Sequence, residues 1–265
     1  MTAVRQPAVA GLFYPDDRER LLITLDQLMT EMVSDAPVPK ALIVPHAGYP
    51  YSGGVAARAY AQLAAEAGRI SRVVLLGPAH RVPFRGLAAP SVEWFATPLG
   101  EVALDRMAID DILELPQVVE MDAPHADEHS LEVQLPFLQH LLGAFELIPL
   151  VVGEASAERV GQVLERLWGG DETLILISSD LSHYLDYDTA RERDAVTCRH
   201  IRELEPEDIG LEDACGRNPI KGLLWLAERR GMRVEQLMYQ NSGDTAGDKR
   251  RVVGYGSFAV YDAAA

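Results

Sequence analysis

Three histidines occupy equivalent places in this chain, each just beyond a short run rich in Val, Ile and Leu. Ala41-Leu42-Ile43-Val44 leads into Pro45-His46-Ala47-Gly48-Tyr49, and Val73-Val74-Leu75-Leu76 into Gly77-Pro78-Ala79-His80. The run Thr173 to Ile177 leads into Ser178-Ser179-Asp180-Leu181-Ser182-His183. Imidazole titrates near neutral pH and is a common metal ligand, so a joint site would support proton transfer, metal binding or both. Imidazoles suit Zn, Cu, Fe or Ni, and two of them with one carboxylate form the open triad of non-haem Fe(II) oxygenases. The candidate carboxylates are Asp180, Glu128 and the loop Asn241-Ser242-Gly243-Asp244-Thr245-Ala246-Gly247-Asp248. One histidine after a strand commonly serves a loop or a cap. Three in the same position, of seven in the chain, point to a shared crevice.

Two further features carry chemistry. Pro124-His125-Ala126-Asp127-Glu128-His129-Ser130 contains H-x-x-E-H, the inverted zinc-protease pattern. That pattern needs a helix to put both histidines on one face, yet Pro124 precedes it, Ser130 reads as a cap and no apolar stripe crosses it. A loop delivering one of these histidines to the crevice is the simpler reading. Cys215 stands just before a helical pattern, where a thiol can be acidified; a small buried cysteine is the commoner outcome. His140 and His200 lie inside helical patterns.

The elements that must position these groups follow from periodicity. Continuous apolar runs at 41–44, 73–76, 147–152 and 173–177 read as strands buried on both faces, hence a parallel sheet covered by helices. Pro149 places the third run at an edge or a bulge. Between the first two runs, residues 52–68 read as a helix capped by Ser52, completing a βαβ unit; Ser156 opens a second crossover helix ended by Gly169-Gly170. Residues 16–32 form an amphipathic helix with Asp16 and Glu19 in capping-box spacing and Met32 in its stripe. Helices also read at 131–142, 189–204 and 219–230, a hairpin at 93–104, and antiparallel strands at 234–239 and 252–261. In an open α/β sheet, ligands bind beyond the carboxyl ends of the strands, where all three histidines fall.

The 24 Lys and Arg against 40 Asp and Glu leave a net charge of −16, which opposes phosphate backbones and anionic lipid. The densest basic run, Lys249-Arg250-Arg251, is a poor nucleic-acid footprint. Cys198 and Cys215 are too few for a disulfide framework. Met1 to Tyr14 shows no signal-peptide pattern and no apolar run reaches the roughly 18 residues of a membrane span. A cytoplasmic protein, with residues 1–265 as a single domain and no nucleic-acid or membrane partner, is the expectation.

At these residues the chain resembles the Memo family over nearly its whole length. Arg5-Gln6-Pro7-Ala8-Val9-Ala10-Gly11-Leu12-Phe13-Tyr14-Pro15 is similar to that family's opening signature. The segments beginning at Pro45, Gly77, Glu128-His129-Ser130-Leu131-Glu132, Ser178 and Cys215-Gly216-Arg217-Asn218-Pro219-Ile220 resemble its later blocks in the same order. Prokaryotic relatives are described as protein B of the AmmeMemoRadiSam system, which implies a functional link to a radical-SAM protein. The resemblance implies an α/β/α sandwich with a mixed, partly parallel sheet, similar to class III extradiol dioxygenases. It implies His46 and His80 as ligands of a divalent metal, most readily Fe(II), with Cu or Zn as alternatives. It implies His183 as the acid/base and His129 as a further pocket residue. Family members differ at the third ligand. A cysteine found there in one member is similar in place to the loop near Asp244 and Thr245, which lacks cysteine here, so Asp244 is the expected third ligand.

The resulting expectation is a non-haem iron, dioxygenase-like site in which His183 takes a proton from bound substrate and Asp180 orients it, with Tyr49 lining the pocket. A module binding a small molecule or a peptide in the same crevice without turnover is the rival. A zinc hydrolase built on His125, Glu128 and His129 is the third reading.

Overall fold

The structure is a computed structural model that describes residues 3–30 and 37–262. Among these, twelve strands form one mixed sheet. They are β1 (Val4–Arg5), β2 (Ala41–Val44), β3 (Arg72–Pro78), β4 (Leu87–Ala89), β5 (Trp94–Thr97) and β6 (Gly100–Leu104). The others are β7 (Val118–Glu120), β8 (Glu146–Val152), β9 (Thr173–Ser178), β10 (His183–Leu185), β11 (Arg233–Asn241) and β12 (Val252–Tyr261). The helices are α1 (Arg18–Met29), α2 (Tyr49–Tyr60), α3 (Arg106–Ile112), α4 (Ala123–Ala126) and α5 (Leu135–Leu142). They continue as α6 (Ala157–Arg166), α7 (Tyr187–Arg202), α8 (Arg217–Arg229) and α9 (Ser242–Thr245).

The four apolar runs are the centre of the sheet, in the order β8-β3-β9-β2, all parallel. Their side chains are buried on both faces, as continuous apolar strands require; each fully buried Val, Leu or Ile stabilises by roughly 1.5–3 kcal/mol. The two βαβ units are interleaved. β9 lies between β2 and β3, and β3 lies between β8 and β9, so each crossover skips a strand. α1, α2 and α5 pack together, with α2 against β2 and β12, while α6 and α8 pack together, with α8 against β3 and β9. This is the expected α/β sandwich with a mixed, partly parallel sheet.

Three local expectations are corrected. Pro149 sits within an interior strand, in unbroken register with Leu75 of β3. On the other side of β8, β6 pairs only at Glu146 and Leu147 and β4 only at Val151 and Val152. Pro149 falls in the gap between them, where no ladder hydrogen bond needs its missing N–H. α1 is capped by Asp17, which accepts from the Arg20 N–H at 2.9 Å, rather than by Asp16; Met32 lies outside the described residues. α2 starts at Tyr49, because Pro50 is pre-set for a first helical turn. Ser52, the expected cap, donates back to the Ala47 carbonyl at 3.0 Å.

No helix of the described residues is long and apolar enough to cross a membrane. The contact of α6 with α8 depends on paired glycines: a Cβ on Gly222 would run into the Val160 side chain, and one on Gly161 into the Trp225 ring. Gly222→Ala is expected to force the helices apart and to cost about 1–3 kcal/mol, read as a lower urea midpoint at unchanged slope.

Candidate functional site

The carboxyl ends of β2, β9 and β3, adjacent in that order, deliver His46, the segment Ser178-Ser179-Asp180, and His80. His46 and His80 approach to 5.3 Å between ring centroids. His129 joins them, stacked on His80 at 4.6 Å and edge-on to His46 at 5.3 Å. Phe13 packs against the His129 ring at 4.9 Å.

Hydrogen bonding decides which nitrogen of each ring is free. His46 is 1% exposed, and its Nδ1 lies 2.9 Å from Ser178 Oγ. The Ser178 hydroxyl donates its only hydrogen to the Ser130 carbonyl at 2.6 Å and accepts from Gln134 Nε2 at 2.8 Å. It can therefore serve His46 only as an acceptor, so Nδ1 carries the proton and Nε2 the lone pair. His80 Nδ1 is 2.8 Å from Glu128 Oε1, an ionised acceptor, and His80 Nε2 is likewise left free. His183 donates Nδ1–H to the Leu181 carbonyl at 2.8 Å, which frees its Nε2 too. His183 occupies the irregular pairing of β10 with β12 and lies near enough to Asp180 and His46 to couple to them electrostatically. Burial, with the charges of the other histidines, holds His46 well below the usual imidazole range, and burial takes His129 down to about 4 against the pull of Glu128. Burial thus favours the neutral form of His46 and His129.

Asp244, the expected third ligand, is engaged within its own turn. Asp244 accepts from Tyr187 Oη through Oδ1 at 2.6 Å and from the Asn241 N–H through Oδ2 at 2.9 Å, closing a capping box on α9. Both oxygens are engaged locally, and the structure does not bring Asp244 to His46 and His80. Cys215 is there instead: donor atoms of His46, His80 and Cys215 all lie within 4.8 Å of one another and could hold a metal ion. Cys215 Sγ is 3.4 Å from His46 Nε2 and accepts from the Asp180 N–H at 3.3 Å. Burial and the nearby Asp180 push its thiol up, so without a cation it stays protonated, with His46 Nε2 at 3.4 Å and the Asp180 carbonyl at 3.6 Å as acceptors within reach of Sγ. Gly216 makes this approach possible, since a Cβ there would lie 2.6 Å from Ser179 Cβ. The signal was present in the sequence, as a cysteine followed by glycine ahead of a helix and in the same order as the histidine blocks.

Asp180 is also placed differently. It does not reach His183 Nδ1; its Oδ1 accepts from the His46 N–H at 2.8 Å and it takes a second bond from the Ala47 N–H. Burial pushes its carboxyl up to about 6. Tyr49, expected to line the pocket, is buried, donates to the Val133 carbonyl at 3.0 Å and packs against Tyr14 and Phe137. Glu128 is 1% exposed; burial would raise its pKa, but hydrogen bonds from His80 and Ser130 hold it at about 2. His125, four residues before His129, faces away and donates Nε2–H to the Ala88 carbonyl at 2.9 Å. The H-x-x-E-H pattern therefore does not form a hydrolase face. Its Glu128 and His129 group with His80 instead.

Histidines and a thiol that could hold a metal ion are gathered at the carboxyl edge of a mixed α/β sheet. The chain belongs to the Memo family, whose "Memo-like protein" model matches residues 5–259. A MEMO1 family protein of Ignicoccus hospitalis is 39% identical, covering 95% of this chain and 96% of its own length. One from Aquifex aeolicus is 36% identical, covering 95% and 97%. Among solved structures, an uncharacterized protein from Escherichia coli K12 matches with a TM-score of 0.50 at 12% identity, over 82% of this chain and 98% of that one, a likeness of fold.

Burial also takes His125 down to about 4, against the pull of the Ala88 carbonyl, whereas in the unfolded chain it titrates near 6.5. As pH falls through that window the unfolded chain takes up the proton first. His125 should therefore withdraw up to about 3 kcal/mol of stability, fully expressed only below about pH 4. Urea unfolding across this range should show a shallower acid limb for His125→Gln than for the unsubstituted chain.

Proposed function

We propose that this Memo-family chain binds a transition-metal ion through His46 Nε2, His80 Nε2 and Cys215 Sγ, and uses it in redox chemistry on a small molecule held at the strand ends. The observation that carries this is the convergence of two imidazoles, each with Nδ1 bonded outward, on one thiol. Such preset tautomers suit ligation, and the donor set fits a metal. A thiolate in place of the expected carboxylate makes the set softer than the two-histidine-one-carboxylate triad and favours copper or zinc alongside iron.

A bound ion would supply Lewis acidity and, as copper or iron, one-electron chemistry. The chain's own residues do the rest. Cys215 would give up its proton to hold the ion and add negative charge. His183, with Nε2 free, accepts a proton from a substrate hydroxyl, and its Nδ1 bond to Leu181 fixes its direction. His129, neutral and stacked on His80, narrows the space beside the metal position and offers a second proton carrier. Asp180 aligns the His46 backbone rather than the base.

Anaerobic loading with Fe(II), Cu(I) or Zn(II), followed by metal analysis, tests the ligand set. His46→Ala, His80→Ala and Cys215→Ala should each lose metal by more than the roughly 10–100-fold that removing a supporting contact costs. Asp244→Ala and His125→Ala should retain it. Full retention in Cys215→Ala with loss in Asp244→Ala would reverse the assignment. Oxygen uptake with a catechol panel then separates turnover from binding; saturable binding of a metabolite or peptide without uptake would favour the non-catalytic module.

A further inference from the structure

Glu128 stands out among the buried charges because both its oxygens are directed at the candidate metal ligand His80. Oε2 accepts from the His80 backbone N–H at 2.8 Å, and Oε1 accepts from His80 Nδ1 at 2.8 Å and from the Ser130 N–H at 2.9 Å. His129 Nδ1 lies 3.4 Å from the same Oε1. With its oxygens occupied by N–H donors, Glu128 is poorly placed to ligate a metal and well placed to hold the residue that does. His46 is held quite differently, by the neutral Ser178 hydroxyl.

We infer that Glu128 is the positioning carboxylate of the site, making His80 the stronger of two inequivalent imidazole donors and balancing, together with the Cys215 thiolate, the charge of a divalent ion. This rests on the metal reading of His46, His80 and Cys215. A carboxylate accepting the Nδ1–H polarises the ring and raises the basicity of Nε2, and it fixes tautomer and ring plane together. A hydroxyl already accepting from Gln134 polarises His46 less. Glu128 and the Cys215 thiolate set negative charge against the cation, which lowers the cost of holding a divalent ion in a largely buried site.

Cobalt(II) titration of the full chain, followed by visible absorption, tests this. The unsubstituted chain should show a thiolate-to-cobalt band. Glu128→Gln should keep that band, shift the ligand-field bands and weaken cobalt binding roughly 10–100-fold, with a smaller loss in Ser178→Ala. Glu128→Asp, which keeps the charge on a shorter arm, should recover part of the affinity. Unchanged cobalt affinity and spectrum in Glu128→Gln would overturn the inference while leaving the metal reading intact. Absence of the thiolate band from the unsubstituted chain would overturn both. A measurement independent of any variant is ¹⁵N NMR of the metal-free chain. His80 should appear as the Nδ1–H tautomer, and an Nε2–H signal would overturn the inference.

Discussion

The buried pair of Arg5 and Glu132 is the constraint on which the site depends. Arg5 forms an ion pair with Glu132 and donates to the carbonyls of His125 at 3.0 Å and Glu128 at 2.6 Å. Glu132 also accepts from the Ala8 N–H, the Val9 N–H and Tyr14 Oη, at 2.7, 2.9 and 2.7 Å. Two charges taken out of water are tolerable only when they are well hydrogen-bonded, and here each Arg5 side-chain nitrogen and both Glu132 oxygens have partners. The pair therefore has one arrangement, and that arrangement ties the first strand to the turn carrying Glu128 and His129. It also pins the loop that sets Phe13 against the His129 ring. Without it, that segment would lose the bonds that join it to the first strand and to the loop that follows.

From that clamp a second layer of order passes inward. Glu128 holds His80; Ser130 and Gln134, on the same stretch of chain, hold Ser178, which holds His46. Tyr60, from α2, donates to Gln134 Oε1 at 2.7 Å and fixes that amide's orientation. The outcome is electrostatic as much as geometric. Each imidazole is deprived of the option to donate from Nε2, and burial keeps His46 and His129 neutral. Nε2 lone pairs beside a thiol suit a cation better than an anion, in keeping with the acidic character of the whole chain.

How much of this was legible depended on the range of the interaction. The strands were readable because double burial writes a continuous apolar run, and the histidines after them were readable because they share one position relative to that run. Pro149 misled, since one residue cannot report that its strand has neighbours with a gap at its level. Asp244 misled because a loop of small residues between two strands looks free to reach back, whereas its carboxylate is taken up within its own turn. Cys215 was passed over because a single cysteine before a helix is commonly just packing. H-x-x-E-H was readable as something other than a ligand pair from Pro124 and Ser130, and the chain turns between its histidines, sending His129 to the crevice and His125 away from it.

The sequence by itself determined the local chemistry: which residues could ligate, which segments would be strands, and that three histidines would fall at strand ends. Periodicity and residue type suffice for that, because they act over a few residues. The tertiary structure alone decided that β9 lies between β2 and β3, which sets Ser178 and Asp180 beside His46. It alone decided that the thiol of Cys215, 169 residues from His46, would close the group, and that Glu128, 48 residues from His80, would set that ring's tautomer. Strand order and the hydrogen-bond partners of buried polar atoms are settled by packing across the whole chain, and no local pattern encodes them.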